Sequence, residues 1–444
     1  MNILILSIIS IFNHFRNFGF PKAVVFDEVH FGNFISSYID GKYFFDIHPP
    51  FAKLIYVFFG KIIGLLDNAD FSKIGNILPD DFIFLRILPI IAGILLPIVI
   101  YKICLRLNFS KISALTVGVL ISLENSLIVQ SRFILLDAFL LIFGFSAILF
   151  YLVFTKAKKR WRKILYFILS AVFIAGAVGT KWTGLSFLAI IFLLEILRIR
   201  AGFLKDFKKY FLRAFAFLAI ITVIYTASFY IHFKLLPNSG PGDAFMVKDF
   251  RNLSFLGNFV DANLEMYRAN ARLDAKHPYS SKWYTWPFMQ RPIYFWQNSA
   301  GLPEGQTERI YSIGNPFIYG LALLSVVVFL FYLIFVAVFK RALFTGEDKK
   351  VLVFLSAGYL LNLLPFIFIG RVMFLYHYET ALVFAIMSLA FWMDKIKAKK
   401  WKILVAISLI IISAGFYMYF SPLTYGTPLN ESQFNGRIWL QTWK

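Results

Sequence analysis

The 444-residue sequence contains a single cysteine, Cys104, and comparatively few charged side chains. One cysteine excludes an intrachain disulfide and a metal cluster held by several thiolates. The sequence also has no glycine-rich phosphate loop and no Gly-x-Ser-x-Gly elbow, so no nucleotide-binding fold is predicted. Only 16% of the residues are charged, whereas 59% are hydrophobic, and a soluble core does not need that much apolar sequence. These proportions predict an all-α polytopic membrane protein.

Acidic residues are scarce as well, since 24 Asp and Glu stand against 45 Lys and Arg, a formal net charge of +21 at pH 7. A basic balance of this size is typical of nucleic-acid binding when it forms one surface. Here the basic residues fall in short loops between apolar runs, and that distribution is typical of membrane topology. We therefore expect the lipid bilayer, and no nucleic acid, as a partner.

Apolar runs divide the chain into about eleven predicted transmembrane helices. The first run is shorter than the roughly 20 residues that span a bilayer. No basic residue precedes it and no small-residue cleavage site follows, so we expect a membrane helix and not a signal peptide. The predicted spans are Ile3–Phe15, Arg86–Arg106, Ile112–Val129, Phe133–Thr155, Ile164–Gly179, Thr183–Leu197, Phe211–Phe233, Phe317–Phe339, Val351–Ile369, Val372–Met393 and Ile403–Phe420.

The polar stretches between these runs divide the chain into three predicted regions. Residues 1–232 form a membrane module that includes a first outer loop, 16–85. Residues 233–316 form an outer aromatic-rich loop, and residues 317–444 contain the C-terminal helices and an outer tail.

The first outer loop contains an amphipathic stretch, 51–66, with Lys53 and Lys61 among leucine, isoleucine and phenylalanine. Such a pattern predicts a helix that lies in the membrane interface and does not cross it. Two prolines directly before it suit the start of a helix but not its interior.

The Lys and Arg residues predict the orientation of the chain. When the eleven spans are threaded alternately, the basic loops all fall on one face, which we take as cytoplasmic. The N-terminus is then cytoplasmic, and the two long loops and the tail are extracytoplasmic. The basic segments are 102–111, 156–163, 198–213, 340–350 and 395–402.

Two adjacent carboxylates, Asp27 and Glu28, stand among β-branched and aromatic residues just after the first apolar run. Carboxylates in apolar company at a membrane edge are costly, and they usually serve a purpose. The alternative is a pair of loop acids that cap a helix or bind a nearby lysine.

Several cations also fall on the outer side, where they suit a site that grips a phosphate and activates a hydroxyl. Each has a plain alternative. Arg132 would pair with Glu124 or Asp137, while Lys181 and Arg371 would snorkel to lipid phosphates and His377 would be a bonded core histidine. Arg86 opens the second span from the same side.

Two further patterns leave alternatives open. Asp27, His30, Asp46 and His48 have spacings that could present metal ligands, but such spacings are common by chance and no metal or other cofactor is predicted. The aromatic residues of the segment 277–296 favour either a sugar- or peptide-binding surface or a cap on the lipid headgroups.

Taken together, six segments resemble the protein O-mannosyltransferases, polytopic enzymes of the GT-C glycosyltransferase class. They occur in the family's order across nearly the whole chain, and the first, second and last are the most specific. The segments are Phe26–Gly32, Tyr43–Pro50, Ser131–Asp137, Gly179–Gly184, Gly314–Pro316 and Arg371–Tyr378.

The resemblance implies a GT-C fold, with 1–232 as the catalytic module, and inverting transfer of mannose from a polyprenyl-phosphate-mannose to Ser or Thr of exported proteins. It assigns catalysis to Asp27, supported by Glu28. The expected donor-phosphate ligands are Arg86, Lys181, Arg371 and His377, and the expected supporting residues are Asp46, His48, Arg132, Asp137 and Tyr376.

The chain departs from eukaryotic members because the loop 234–315 is too short for their β-trefoil domain, and it is similar to the bacterial branch. We therefore expect a multi-pass protein of a bacterial plasma membrane with an extracytoplasmic site. Three alternatives remain: a lipid-linked-sugar transferase that acts on a lipid or glycan, a transporter or flippase, and a scaffold. Transporters often show internal repeats, and no convincing repeat is seen.

Overall fold

The computed structural model describes residues 1–66, 69–198, 203–272, 277–339, 344 and 346–444. The predicted basic segments 198–213 and 340–350 lie partly outside these residues. The α-helices are α1 (Asn2–Phe15), α2 (Glu28–Asp40), α3 (Phe51–Ile63), α4 (Asp80–Leu85), α5 (Ile87–Arg106), α6 (Lys111–Ser122), α7 (Asn125–Gln130), α8 (Asp137–Lys156), α9 (Arg160–Thr180), α10 (Leu185–Arg198), α11 (Phe203–Leu235), α12 (Phe255–Arg272), α13 (Pro316–Phe339), α14 (Gly346–Leu361), α15 (Glu379–Asp394), α16 (Lys399–Tyr425) and α17 (Glu431–Asn435). Short 3₁₀ helices lie at Trp182–Gly184, Pro241–Phe245, Phe250–Asn252, Trp283–Phe288, Leu364–Phe368, Leu375–Tyr378 and Gln441–Trp443, and the strands are β1 (Ile293–Asn298), β2 (Gln306–Ser312) and β3 (Leu429–Asn430).

Among the described residues, seven helical stretches are long and apolar enough to cross a membrane, and two shorter apolar helices, α1 and α6, accompany them. The predicted helical, multi-pass membrane architecture is thereby confirmed, while the number of eleven spans stays a prediction. The seven stretches are Asp80–Arg106, Asp137–Lys156, Arg160–Thr180, Phe207–Leu235, Pro316–Val336, Gly346–Phe368 and Lys399–Tyr425.

The long helices differ in how much of their surface the protein itself covers. The apolar stretch of α8 is 78% buried, whereas that of α16 is only 22% buried. Helix α8 packs against α5 and α9, so its apolar side chains form the centre of the bundle. Helix α16 exposes apolar side chains such as Ile411 and Met418, as expected for a helix that faces lipid.

Two predicted spans are interrupted where buried polar groups need partners. The predicted span Ile112–Val129 is divided into α6 and α7, because the Glu124 carboxylate caps α7 by accepting from the Ser126 amide at 2.9 Å. The predicted span that starts at Phe133 begins instead at Asp137, since the Ile134 amide donates to Glu28 at 2.9 Å. The apolar residues from Phe133 up to Asp137 are therefore not helical, and their backbone lies beside the first outer loop.

The motif Gly314–Pro316 joins the outer region to the bundle. The Asn315 amide donates to Glu124 at 2.8 Å, and its side-chain Nδ2 donates to the Ser413 carbonyl at 2.9 Å. Because all three residues are buried, these bonds satisfy polar groups that no water reaches. They fix α7, α13 and α16 to one another at this level.

Two strands of the outer aromatic-rich loop and one of the C-terminal tail form a small antiparallel sheet of order β1-β2-β3, which was not predicted from the sequence. Strand β1 pairs with β2 from Ile293↔Ser312 to Asn298↔Glu308, with a bulge near Phe295. The Phe295 carbonyl is left facing the first loop, where it accepts from the Phe26 amide at 3.1 Å. The sheet therefore reaches the segment that carries Asp27.

Candidate active site

The turn before Asp27 has a backbone conformation that few side chains adopt. Phe26 is buried and has a φ of +40°, which is uncommon for a bulky residue. Its ring stacks on Phe295 at 4.5 Å and meets the edge of Phe374 at 5.9 Å, so tertiary packing holds the strained turn. Strain of this kind clusters at functional sites. Here it directs Asp27 to the first turn of α2.

Asp27 itself is half-buried, and among the described residues none donates a hydrogen bond to its carboxylate. Burial raises the pKa of Asp27 to about 6, although His30, Lys181 and Arg371 lower it through their positive charges. A carboxylate with free lone pairs and a pKa near neutrality has the properties of a general base.

Glu28 is fully buried, and both of its oxygens are used. Arg86 donates to them through Nε at 2.9 Å and through Nη2 at 2.7 Å. The amides of Val25 and Ile134 donate to the same two oxygens at 3.1 and 2.9 Å. Four bonds to one carboxylate make Glu28 the anchor of the Asp27 loop and leave it no capacity for a substrate.

Arg86 is 1% exposed and does not face the cavity described below. Besides Glu28, its guanidinium donates to the carbonyls of Pro21 at 2.7 Å and Ala23 at 2.8 Å. This geometry argues against the expected contact between Arg86 and the donor phosphate. An arginine fork that is satisfied by a carboxylate and by loop carbonyls has no donor left for a ligand.

A second ion pair lies at the start of α8. Lys181 Nζ donates to both oxygens of Asp137 at 2.7 and 2.8 Å, and both side chains are largely buried. Lys181 also lies 4.9 Å from the centre of the Tyr376 ring. Unlike the Arg86 pair, these residues line a cavity of about 340 Å³, which we call the Lys181 cavity.

The walls of the Lys181 cavity combine a polar end with apolar sides. Asp137, Lys181, Tyr376 and His377 form the polar part, and the 3₁₀ helix Leu364–Phe368 lies on the apolar side. Such a space suits an amphiphile with a charged head and a hydrocarbon chain. The apolar side chains include Leu140, Leu141, Leu185, Leu361, Pro365 and Ile369.

Arg371 and His377 lie together next to this polar end. Arg371 Nη2 is 3.5 Å from His377 Nε2, and the buried Nε of Arg371 has no partner among the described residues. Trp286 from the outer loop stacks against the His377 ring at 5.8 Å and fixes its plane. The Ser281 amide donates to the Met373 carbonyl at 2.8 Å, which holds the same loop on the segment.

The motif Tyr43–Pro50 contributes His48 to the same region. Burial, together with the charges of Lys181 and Arg371, lowers the pKa of His48 well below its usual value, so the imidazole is neutral. Asp46 binds Lys53, whose ammonium also donates to the His48 carbonyl at 2.8 Å.

Lys53 is therefore a buried partner of Asp46 and not a polar-face residue of an interfacial helix. Its side chain is 1% exposed, so Lys53 does not contribute to the polar face of the predicted amphipathic helix. The Asp-x-His-Pro spacing gave no sign of this pair, because Lys53 lies after that motif, in the first turn of α3.

Arg132 lies apart from the Lys181 cavity, contrary to the expectation that it supports the site. It donates to the Asn17 carbonyl at 2.9 Å and lies 4.6 Å from the Tyr425 ring. It contacts neither Glu124 nor Asp137, so its alternative as their ion-pair partner is also not seen among the described contacts. It joins the first loop to the end of α16.

Sequence reasoning missed one ionisable group of the cavity, Glu379. It is 2% exposed and lies in the first turn of α15, directly after the motif Arg371–Tyr378. The signal was present, because a carboxylate at the edge of an apolar span is costly and is often functional.

Two family models match the sequence. The model described as dolichyl-phosphate-mannose-protein mannosyltransferase matches residues 4–237. The model of the C-terminal four TMM region of protein-O-mannosyltransferase matches residues 255–443.

Curated relatives agree with these matches. Dolichyl-phosphate-mannose--protein mannosyltransferase 4 of Saccharomyces cerevisiae is 33% identical over 264 residues, which cover 56% of this chain and 35% of that protein. Protein O-mannosyl-transferase 1 of Danio rerio is 34% identical over 263 residues, covering 56% and 36%. The chain thus spans about a third of the length of these relatives.

Solved structures show the same fold. The S. cerevisiae protein O-mannosyltransferase Pmt1-Pmt2 complex bound to the sugar donor matches with a TM-score of 0.90 at 19% identity, covering 100% of this chain and 92% of that one. ArnT from Cupriavidus metallidurans bound to undecaprenyl phosphate matches with a TM-score of 0.55 at 12% identity, covering 98% and 77%. With the two family models, these findings show that the chain belongs to the dolichyl-phosphate-mannose-protein mannosyltransferase family.

Proposed function

We propose that this chain transfers mannose from a polyprenyl-phosphate-mannose to Ser or Thr hydroxyls of exported proteins, at the outer face of a bacterial plasma membrane, with inversion at the anomeric carbon. The observation that carries the proposal is the placement of one unbonded carboxylate, Asp27, within electrostatic range of Lys181 and Arg371. A base and a phosphate-binding group are the two requirements of this transfer.

In this mechanism Asp27 accepts the proton of the acceptor hydroxyl while the oxygen attacks the anomeric carbon. General-base assistance of this kind typically contributes about 10²–10⁴-fold. The bond from the anomeric carbon to the phosphate oxygen breaks in the same step, and the lipid phosphate leaves with the electron pair. One direct displacement inverts the sugar carbon and forms no glycosyl-enzyme intermediate.

The leaving phosphate needs fixed positive charge, and Lys181, Arg371 and His377 are our proposed ligands. Lys181 lines the cavity, and one of its hydrogen bonds to Asp137 would be replaced by a hydrogen bond to the phosphate. The unpartnered Nε of Arg371 and its neighbour His377 offer donors next to it. The lipid chain would lie along the apolar walls.

Glu28 and Arg86 have a different role in this proposal, since they hold the Asp27 loop and touch no substrate. Asp46, His48, Asp137 and Tyr376 position the charged groups. The names of the curated relatives, which mention dolichyl-phosphate-mannose and protein, support both the donor class and the acceptor class.

The test is transfer of radiolabelled mannose from a polyprenyl-phosphate-mannose to a threonine-containing peptide by the purified protein. We expect activity in the wild type and a loss of at least about 100-fold in Asp27→Asn. Asp80→Asn is the matched control, because this acid is exposed and binds only Lys22 among the described residues. Full activity of Asp27→Asn, or transfer to a lipid but not to the peptide, would contradict the proposal.

A further inference from the structure

Glu379 is a buried carboxylate that the mechanism above does not use. Neither of its oxygens has a hydrogen-bond partner among the described residues, although the side chain is only 2% exposed. Leaving a buried polar group without a partner is costly, so such a group calls for a ligand.

Glu379 borders two spaces of very different size. One is the Lys181 cavity of about 340 Å³. The other is a void of about 10 Å³ between α1, α5 and α7, where Gln130 also has no partner on either side-chain atom. The void has the volume of about one water molecule, so only the Lys181 cavity has room for a larger ligand.

Among the described residues, no cation bonds to the Glu379 carboxylate. Lys181 lies close enough to interact with its charge, but the Lys181 ammonium bonds to both oxygens of Asp137. On the same cavity wall, Ser186 donates to Asn362 at 2.6 Å, whereas the neutral hydroxyl of Thr183 also has no partner among the described residues. Glu379 therefore stands out on this wall as an acidic acceptor that still needs a donor.

The chemistry of the proposed donor leaves one part that can satisfy it. A phosphodiester carries negative charge and no proton, so it repels a carboxylate, and a polyprenyl chain has no polar atom. The hydroxyls of the sugar are hydrogen-bond donors, and hydrogen bonds to charged groups are worth more than neutral ones.

We propose that Glu379 recognises the sugar of the lipid-linked donor by accepting a hydrogen bond from at least one of its hydroxyls. The inference rests on the proposed function and adds a specificity-determining residue on α15.

The experiment compares wild type with Glu379→Leu, a variant that suits the apolar surroundings and removes the acceptor. Donors are polyprenyl-phosphate-mannose and the four analogues in which one sugar hydroxyl is replaced by hydrogen. We expect Glu379→Leu to lower kcat/KM for the natural donor by roughly 10- to 100-fold, with unchanged KM for the peptide. For one analogue, we expect the wild type to lose kcat/KM by the same factor as Glu379→Leu loses with the natural donor. The variant should lose nothing further with that analogue, because the two groups would form one hydrogen bond and their effects are coupled.

Binding of the sugar-free polyprenyl phosphate, measured by titration, separates this role from phosphate binding and from misfolding. Its Kd should change by less than about twofold in Glu379→Leu, because the phosphate makes no contact with the carboxylate. Glu195→Gln, a control acid on α10 that binds Tyr151 and Arg198, should leave all these values unchanged.

Two outcomes would overturn the inference: an unchanged kcat/KM for the natural donor in Glu379→Leu, or equal further losses with all four analogues. Glu379→Met, which also removes the acceptor, repeats the test if the leucine variant does not fold, and the same two outcomes decide it. Absence of mannose transfer by the wild type would instead contradict the proposed function, so the two failures are distinguishable.

Discussion

Two buried ion pairs flank Asp27, and they face different surroundings. Glu28 and Arg86 satisfy each other and the loop carbonyls, and neither reaches a cavity described here. Asp137 and Lys181 satisfy each other equally well but border a space of about 340 Å³. A carboxylate–cation pair thus fixes a loop in one place, and in the other it leaves a charge beside a space that could hold a ligand.

The comparison shows that charge and burial alone do not identify a ligand-binding cation. Arg86 is more buried than Lys181 and has more hydrogen bonds, yet its donors are all directed at the protein. What distinguishes Lys181 is an adjoining volume.

Removing the guanidinium of Arg86 should destabilise the protein. We expect Arg86→Met to lower the free energy of unfolding by about 3–5 kcal/mol, because Glu28 is left charged and buried without its partner. Chemical unfolding in detergent measures it. Arg86→Lys keeps the charge but lacks the planar guanidinium that bonds to Glu28 through two nitrogens, so this variant should also be destabilised. A stable Arg86→Lys protein with a raised KM for the donor would instead support phosphate binding.

Removing the ammonium of Lys181 should weaken donor binding. We expect Lys181→Met to raise the Kd for polyprenyl phosphate by roughly 10- to 100-fold, as measured by titration. The variant also leaves Asp137 unpaired, so Lys181→Met with Asp137→Leu is the matched control for stability. If the double variant regains donor affinity along with stability, Lys181 does not bind the phosphate.

The raised pKa of Asp27 predicts the acidic limb of the pH profile. Below pH 6 the carboxyl is increasingly protonated and cannot accept a proton, so kcat/KM should fall about fivefold from pH 6 to pH 5 and about tenfold from pH 5 to pH 4. Above pH 7 this limb should be flat. A limb centred near pH 4, where an unperturbed Asp titrates, would show that burial does not raise the pKa of Asp27.

Arg132 belongs to neither of the two buried ion pairs, so its substitution should have the smallest effect. We expect Arg132→Lys to change the free energy of unfolding by roughly 1 kcal/mol or less, through its loss of planar contact with Tyr425, and to leave kcat/KM unchanged. Unfolding and transfer assays on the same preparation measure both. A kinetic defect in a stable Arg132→Lys protein would return this residue to the site.

Much of the fold could be predicted from the sequence because apolar length is a strong signal. Two exceptions have a common cause. The break at Glu124 and the non-helical start before Asp137 both depend on polar partners that are distant in sequence. Neither hydropathy nor local spacing contains that information.

The site could be predicted in part. The motifs contain Asp27, Lys181, Arg371 and His377, and the structure brings all four together. The direction of each side chain could not be predicted, and for that reason Arg86 was expected at the phosphate. Glu379 was missed because it directly follows a motif and has no partner in the sequence pattern to indicate it.

The most direct measurement compares Asp27→Asn with Glu28→Gln, two conservative changes in adjacent acids, by mannose transfer per folded molecule. We expect Asp27→Asn to unfold like the wild type and to lose at least about 100-fold in rate. We expect Glu28→Gln to lose stability, with a rate that follows its folded fraction. A stable Glu28→Gln protein with no activity, beside an active Asp27→Asn, would contradict the account.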